Sequence, residues 1–341
     1  MPKITFQEAK DFLNNITDKD KVAVIHHDDG DGFCSGILYF DWCKKRDAEV
    51  EQFTYSIRKS KIRDFDLKNF NKVIVCDLAS GFIAEELYQI EEKEILYTDH
   101  HPRESPLPKK VLELVTIDQG YIPSSRTAGE LTKLKPWLSL TGTINDSGEL
   151  YPENQDFIDK NLKQINMTLE DFKENISSKI TNFLVYFHKD FNKAFKILQK
   201  INTVEEIFQL KKYSDPVEDE VQKFVEQYED KKEKLGNVNF YYFEPTLPIK
   251  APICGIIGHR DANQVYIFAT PKSDGKHITL SARSAPKKMN VCKLLKAGTV
   301  NLEESAAGGH NSAAGGIILA KDIERFKTQT REALKNQNFN Q

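Results

Sequence analysis

His27, Asp29 and Asp31 occupy alternate positions in the stretch HHDDGDG, directly after the short apolar run KVAVI. Carboxylates this close together repel one another, and burying them near the edge of a sheet is costly unless cations neutralise them. The spacing therefore predicts a site for divalent metal ions. A solvated Asp-rich turn is the alternative, whereas a calcium-binding EF-hand loop is disfavoured because its spacing and its distal Glu are missing.

Further polar residues follow other short apolar segments. Asp77 ends the run KVIVC, the triplet Asp99, His100 and His101 follows EILYT, and Asp146 lies in TGTINDSG. We interpret each position as the end of a strand. One imidazole of the histidine pair could bind a metal ion, Asp99 could orient it, and the other imidazole could contact a phosphate. Taken singly, these residues could also be helix caps or polar turns.

Together, these segments predict a centre for two metal ions. The expected ligands are His27, Asp29, Asp31, Asp77, His100 and Asp146. Nitrogen and oxygen donors without a thiolate favour Mn²⁺ or Mg²⁺, with Co²⁺ as a further alternative, over a structural zinc ion. Two ions about 3.5–4 Å apart could activate a water molecule and stabilise the charge on phosphorus, so the chemistry indicated is hydrolysis of phosphoester bonds.

The first 150 residues contain the elements that must position these side chains. A helix is predicted from Phe6 to Ile16, and short apolar strands in KVAVIHH, KVIVCD and EILYTDHH alternate with helical segments. This pattern is typical of an α/β fold whose parallel sheet has helices on both faces and binds ligands at the carboxyl ends of its strands. We expect a catalytic domain over 1–190 and a helical connector over 191–236.

The last third of the chain returns to strand patterns. VNFYYFEP, APICGIIGH, QVYIFATP and KHITLSARS are predicted strands, and NVCKLLKAG is a predicted helix. A glycine- and alanine-rich loop and a final helix near 320–336 follow. We therefore expect a smaller C-terminal α/β domain with a mixed sheet over 237–341.

The order and spacing of the N-terminal motifs resemble those of the DHH superfamily of phosphoesterases, over about residues 20–150. H-x-D-x-D-G, a strand-end Asp, D-H-H and a later Asp occur in the spacing of the archaeal RecJ-like branch. Other branches place the histidine where this chain has Ile25. The resemblance implies a dinuclear Mn²⁺ site on the six ligands above. It also implies that Asp77 bridges the ions and that His101 contacts the scissile phosphate. Asp99 would orient the neighbouring side chains without binding the ions itself.

A second resemblance covers about residues 240–320. Arg283 in SARS, followed by AGGH and AAGG, resembles the DHH-associated C-terminal domain, whose hallmark is G-G-G-H and then A-A-G. The first glycine is replaced by Ala307 here. Glycines let the backbone approach a phosphate and present N–H groups to it, and cationic side chains add charge-assisted donors. The resemblance thus implies substrate contacts from Arg283, Gly308, Gly309 and His310.

Another phosphate site is predicted at Ser125 and Arg126, which precede the helical segment AGELTKL. Hydroxyl and N–H groups at a helix N-terminus bind anions, and the Arg126 guanidinium could join them. Ordinary capping of the helix by the serine is the alternative.

The composition narrows the class of protein and its expected compartment. The 341 residues are 39% hydrophobic and 29% charged, and no apolar run approaches the length of a membrane span. The five cysteines are scattered without a C-x-x-C pair, and the N-terminus lacks the apolar core of a signal peptide. We therefore expect a reduced, cytoplasmic protein that does not bind membranes. The net charge of −3 gives no global attraction for nucleic acid.

The function expected from these features is that of a RecJ-like exonuclease or oligoribonuclease that trims single-stranded RNA or DNA to mononucleotides. The alternatives are a small-molecule phosphatase or pyrophosphatase, and a phosphodiesterase for nucleoside bisphosphates or cyclic dinucleotides. A non-catalytic scaffold is disfavoured because every expected ligand is present. The expected partners are single-stranded nucleic acid or short oligonucleotides, with a homodimer or a replication or repair partner as further candidates.

Overall fold

The computed structural model describes residues 4–57, 59–258, 260–261, 263–285, 288–309, 311–336 and 339. The chain divides into two compact units, an N-terminal unit over Met1–Asp215 and a C-terminal unit over Pro216–Gln341. Among the described residues, no helix combines the length and apolarity that crossing a bilayer requires.

The N-terminal unit is built on a parallel five-stranded sheet with the strand order β2-β1-β3-β4-β5. The strands are β1 Lys21–His27, β2 Glu49–Tyr55, β3 Lys72–Cys76, β4 Glu94–Asp99 and β5 Leu112–Val115. Strand β3, in the middle of the sheet, is buried along its whole length. Continuous burial of this kind is what the short, uninterrupted apolar runs predict for a sheet covered on both faces.

Helices cover both faces of this sheet. They are α1 Phe6–Asn14, α2 Gly30–Lys45, α3 Ser80–Leu87, α4 Ser124–Thr132, α5 Pro136–Asn145, α6 Gln155–Ile165, α7 Leu169–Phe172, α8 Ser178–Tyr186 and α9 Phe191–Leu198. The next helix, α10 Lys211–Lys231, begins in this unit, and its residues from Pro216 onward belong to the C-terminal unit. Successive strand residues enter different cores, because side chains alternate along a strand. Val24 packs in the core that contains α2 and α5, whereas Ile25 packs in the core that contains α3. The predicted fold class is confirmed.

The C-terminal unit contains a mixed six-stranded sheet with the order β10-β11-β9-β8-β7-β6. Its elements are β6 Glu233–Leu235, β7 Val238–Tyr242, α11 Lys250–Gly258, β8 Val265–Pro271, β9 His277–Ser284, α12 Val291–Gly298, β10 Ala306–Gly309, β11 Ala313–Leu319 and α13 Ile323–Asn336. Strands β7 and β8 pair in parallel, and the other neighbours pair antiparallel. Ile278, Leu280 and Ala282 of β9 pack in one core with residues of α12 and α13. The opposite face of β9 therefore carries its alternating partners Thr279, Ser281 and Arg283.

Two predicted elements of this unit were wrong. The segment APICGIIGH lies in helix α11 rather than in a strand: Ile253, Cys254 and Ile257 are buried, while Ile256 is 47% exposed, which is a helical spacing. The predicted glycine- and alanine-rich loop is the antiparallel pair β10–β11, in which Gly308 lies opposite Gly315. Pairing along the strands outweighed the low strand propensity of glycine and alanine.

Candidate metal centre

His27 ends β1, and Asp29 caps the helix that follows. The Asp29 carboxylate accepts the backbone N–H of Gly32 at 2.9 Å, which fixes the first turn of α2. The His27 Nδ1 atom lies 2.9 Å from Asp29 Oδ2 and 3.8 Å from Asp77 Oδ2. A Cβ atom at position 32 would lie 2.6 Å from the backbone oxygen of His27, so this turn requires glycine. The DGDG sequence thus places the end of β1 next to the start of α2.

Asp31 lies in the first turn of α2 and is 1% exposed. Its two carboxylate oxygens accept the backbone N–H groups of Ser124 at 2.7 Å and of Ser125 at 2.9 Å. These serines begin helix α4, so the positive end of that helix faces the carboxylate and stabilises its charge. The anion at the N-terminus of α4 is therefore Asp31. The Ser125 side chain is completely buried.

Asp77 follows β3 directly and adopts a left-handed backbone conformation with φ of 60°. Such a conformation costs about 1 kcal/mol for a residue with a Cβ atom, although aspartate tolerates it better than most. The bend aims a carboxylate that is 2% exposed at two histidines. Asp77 Oδ1 lies 3.3 Å from Nε2 of His100, and Oδ2 lies 3.8 Å from Nδ1 of His27. Each oxygen of Asp77 thus faces a different imidazole.

His100 follows β4 and also contacts Asp146, with 3.4 Å between its Nε2 atom and Asp146 Oδ2. Asp146 comes after helix α5 and not after a strand, which corrects the interpretation of TGTINDSG. The run PWLSLTGTI carries no charged residue because α5 is buried along most of its length, and such a run cannot be distinguished from a strand by periodicity.

The six predicted ligands are therefore close neighbours, and they fall into overlapping groups of potential metal donors. His27, Asp29 and Asp77 form one group, and Asp31, His100 and Asp146 form another. A third group, Asp77, Asp99, His100 and His101, shares a residue with each of them. Within each group the potential ligand atoms lie within 4.8 Å of one another.

Asp99 and His101 form a pair beside these groups. His101 Nδ1 lies 2.8 Å from Asp99 Oδ1, and the hydroxyl of Tyr97 donates to Asp99 Oδ2 at 2.8 Å. Asp99 is 3% exposed, whereas the side chain of His101 is 40% exposed. The buried carboxylate therefore orients an imidazole whose other nitrogen, Nε2, is free to meet a ligand.

The histidines of the centre are strongly polarised by the carboxylates around them. Burial alone would lower the pKa of His27, but Asp29 and Asp77 together raise it to about 11. The pKa of His100 is likewise lowered by burial and raised, to about 10 overall, by Asp77 and other carboxylates. Both imidazoles are thus protonated near neutral pH when no metal ion is bound.

Two carboxyl groups of the centre have pKa values above the ordinary value of an aspartate. Burial, with the negative charge of Asp31, raises the pKa of Asp146 to about 7. Burial and the charge of Asp29 raise the pKa of Asp77 well above its ordinary value. Such a cluster of acids carries excess negative charge that cations relieve.

The donor set fits divalent metal ions. His27 Nδ1 and His100 Nδ1 are buried and make no hydrogen bond of normal geometry among the described residues, which is an unfavourable state for a polar atom. Four carboxylates and two imidazoles without a thiolate suit Mn²⁺, Mg²⁺ or Co²⁺ better than a structural zinc ion. A metal ion bound in place of the proton would give the His27 Nδ1 atom, which lies beside Asp29 and Asp77, the partner that it lacks.

The predicted substrate residues lie in different places. The Arg126 guanidinium is committed to its own unit: it donates to Glu130 at 3.0 Å, to the backbone oxygen of Glu153 at 2.6 Å and to Asn154 at 2.8 Å. It also lies over the ring of Phe157. The contacts with Glu153 and Asn154 tie helix α4 to the segment that follows α5. The structure does not bring the guanidinium into the metal-ligand groups.

Arg283 lies on β9 and Gly308 and Gly309 lie on β10, both in the C-terminal unit; His310 lies outside the described residues. A Cβ atom at Gly308 would meet no described atom within 4 Å, so the backbone there is open. Sequence reasoning missed Lys250 of α11, whose ammonium group donates to Thr279 at 2.7 Å. Among the described residues, neither Lys250 nor Arg283 has a carboxylate partner.

Sequence reasoning also missed Tyr121. Its hydroxyl donates to Asp146 Oδ2 at 2.7 Å and to the backbone oxygen of the same residue at 3.1 Å. The two residues are 25 positions apart, and no spacing rule connects a tyrosine in a loop with the end of a later helix.

The family model of the DHH family, N-terminal domain, matches residues 21–141. No curated protein matches the chain. RecJ from Thermus thermophilus, in complex with Mn²⁺, is similar with 15% identity and a TM-score of 0.70; the match covers 100% of this chain and 56% of that protein. The chain therefore spans little more than half the length of that RecJ.

Two further solved structures share the architecture. An exonuclease RecJ bound to manganese has 16% identity and a TM-score of 0.72, with coverage of 99% of this chain and 96% of that one. A pGpG-specific phosphodiesterase from Vibrio has 13% identity and a TM-score of 0.50, with coverage of 94% and 100%. At such identities the likeness establishes the fold. The chain thus carries a DHH family N-terminal domain, over residues 21–141, within the fold of RecJ.

Proposed function

We propose that this protein is a metal-dependent phosphodiesterase of the RecJ-like exonuclease or oligoribonuclease type, which trims single-stranded RNA or DNA to mononucleotides. The observation that carries the proposal is the convergence of His27, Asp29 and Asp77 with Asp31, His100 and Asp146 at the carboxyl edge of the sheet. The buried His27 Nδ1 atom adds to it, because it lies beside Asp29 and Asp77 and makes no hydrogen bond of normal geometry among the described residues.

We assign the two donor groups to two divalent ions, with Mn²⁺ as the first choice. His27 and Asp29 would hold one ion, and Asp31, His100 and Asp146 would hold the other. Asp77 would be shared, because its two oxygens face different histidines. When bound, such ions polarise a phosphoryl group and lower the pKa of a bound water molecule.

His101 is the proposed contact to the scissile phosphate. Burial lowers its pKa, but the hydrogen bond to Asp99 raises it, with a net upward shift. The imidazole is therefore more often protonated than that of a free histidine, and it would donate a charge-assisted hydrogen bond to a phosphate oxygen. Asp99 is a positioning residue, held from the other side by Tyr97.

The C-terminal unit is the proposed substrate-binding domain. On the face of its sheet opposite the core with α12 and α13, the half-buried residues Thr279, Ser281 and Arg283 alternate along β9, and Gly315 pairs with Ser281 and Gly308. Ser281, Gly315 and Gly308 thus lie side by side on three neighbouring strands. Arg283 precedes this row on one side, and Thr279, to which Lys250 donates a hydrogen bond, lies on the other side. Two cations without carboxylate partners among the described residues, beside open backbone, favour binding of a phosphorylated end.

A small-molecule phosphatase, a pyrophosphatase or a phosphodiesterase for bisphosphates or cyclic dinucleotides is the alternative. The likeness to a pGpG-specific phosphodiesterase keeps a dinucleotide substrate open. The same metal centre, together with Lys250 and Arg283, would suit any phosphorylated end. Substrate assays must therefore decide between these functions.

The decisive experiment incubates the full chain and Mn²⁺ with end-labelled single-stranded RNA and DNA of several lengths, and in parallel with inorganic pyrophosphate. Stepwise shortening to mononucleotides, abolished by a chelator and by Asp29→Asn, is the expected result. The matched control is Asp159→Asn, which changes an exposed acid bonded to Gln155 on α6. Pyrophosphate turnover with intact oligonucleotides would reject the nuclease proposal.

A further inference from the structure

Two tyrosine rings are stacked beside the candidate metal centre. The rings of Tyr121 and Tyr151 have centroids 4.1 Å apart and an angle of 14° between their planes. Tyr121 in turn meets the ring of His100 edge to face, at 5.1 Å and 85°. Its hydroxyl donates to Asp146 at 2.7 Å. A single ring therefore separates Tyr151 from two of the proposed metal ligands.

The loop that carries this stack is held by buried hydrogen bonds. The Asn154 amide is completely buried and donates to the backbone oxygens of Tyr121 at 2.8 Å and Gly148 at 2.9 Å. Arg126 donates to Asn154 and to the backbone oxygen of Glu153. The Glu153 carboxylate accepts the N–H of Tyr121. Tyr151 is held in the same loop by backbone hydrogen bonds with Gly148 at 3.2 Å and Asn154 at 3.1 Å. These bonds fix the backbone of both tyrosines before any ligand arrives, which lowers the entropic cost of binding.

Tyr151 nevertheless remains open to solvent. It is 38% exposed although one face of its ring lies on Tyr121, and its neighbour Leu150 is 71% exposed. An aromatic ring that is covered on one face and still 38% exposed offers a surface on which a nucleobase can stack. Pyrophosphate and other phosphoanhydrides without a base have no ring to place there.

We propose that Tyr151 stacks on the nucleobase next to the phosphate that is cleaved, with Tyr121 connecting this subsite to Asp146. The inference rests on the proposed function and deepens it, because it makes a base-bearing nucleotide chain the substrate class. Tyr151 is then a specificity-determining residue, and Arg126, through Asn154, is a positioning residue for the subsite.

The test compares two labelled oligonucleotides that differ only in an abasic unit in place of the terminal base or its neighbour. For the wild-type protein, kcat/KM should be about tenfold or more higher with the base, as expected for one stacked base. Tyr151→Leu, which keeps apolar contact with Tyr121, and Tyr151→Ala should lose most of this preference, while Tyr151→Phe should keep it. Tyr88→Ala, at a tyrosine that is 48% exposed in the same unit, is the matched control and should behave as wild type.

A wild-type protein that cleaves both oligonucleotides equally well would overturn the inference. So would Leu and Ala variants that retain the full preference for the base, or that lose activity equally on both substrates. In each case the wild-type protein still degrades oligonucleotides, so the proposed function survives. If the wild-type protein cleaves no oligonucleotide and only pyrophosphate, the proposed function and this inference fall together.

Discussion

Asp31 accepts the backbone N–H of Ser125 at 2.9 Å, although the two residues are 94 positions apart in the sequence. A helix N-terminus that sequence reasoning assigned to a substrate phosphate instead holds a carboxylate of the candidate metal centre. The positive end of α4 thereby offsets part of the negative charge that accumulates where the strands end.

Removing the shared carboxylate should disable the centre. We expect Asp77→Asn to lower the rate of phosphodiester cleavage by about 100-fold or more, because bound metal ions supply several kcal/mol of transition-state stabilisation. Calorimetric titration with Mn²⁺ should show that the stoichiometry or affinity falls in parallel. Asp159→Asn serves as the control, and an Asp77→Asn protein with full activity would exclude the bridging assignment.

Binding of metal ions should depend on pH with a defined sign. His27 and His100, with pKa values raised to about 11 and about 10, carry protons at pH 8 that an incoming metal ion must displace. Mn²⁺ binding at pH 8 should therefore release about two protons, since metal binding requires neutral imidazoles. Heats of binding measured in buffers of different ionisation enthalpy give this number.

Asp146 should determine how the affinity for Mn²⁺ changes below pH 7. Its raised pKa of about 7 means that the carboxyl group gains a proton as the pH falls below 7, so the affinity for Mn²⁺ should drop more steeply there. An affinity that is constant from pH 8 to pH 6 would contradict this arrangement of charges.

A buried acid far from the centre should govern part of the stability. Glu86 is 6% exposed; burial raises its pKa, but the N–H of Ile62, the ammonium of Lys61 and the hydroxyl of Tyr55 lower it below 4.5 overall. A lowered pKa in the folded state stabilises the protein above the unfolded pKa, and this contribution disappears as the pH falls through the folded pKa.

We therefore expect Glu86→Gln to lower the free energy of unfolding at pH 7 by about 1–3 kcal/mol. The difference from wild type should shrink as the pH approaches 3. Urea unfolding at both pH values is the measurement, with Glu85→Gln on the same helix as the comparison. A loss of stability that is equal at both pH values would assign the effect to packing.

Lys250 should contribute to substrate binding through its charge. Lys250→Met keeps the length of the side chain and removes the cation, so KM for a single-stranded oligonucleotide should rise. The slope of log KM against log salt concentration should decrease by about 0.7, the value for one phosphate contact on a single strand. Lys321→Met is the control, because that lysine is 65% exposed in the same unit and pairs with Glu303.

The sequence by itself determined which donors meet. Each of His27, Asp77 and His100 stands at or directly after the end of a short apolar run, and parallel strands bring their carboxyl ends to one edge. Asp29 and Asp31 are fixed relative to His27 by a turn of a few residues. Local spacing and the alternation of strands with helices were therefore enough for the fold class and for the choice of His27, Asp29, Asp31 and His100. Asp77 and Asp146 were chosen mainly for their place in the order of the motifs, and Asp146 follows a helix rather than a strand.

Only the tertiary structure decided what surrounds these donors. The contacts of Arg126 with Asn154, of Tyr121 with Asp146 and of Lys250 with Thr279 join segments that are 25 to 29 positions apart. No local pattern encodes such pairs, because they depend on how helices and loops pack after the sheet has formed. The same reason explains α11: its buried and exposed isoleucines follow the packing against β8 and β9, while their β-branched side chains alone favour a strand.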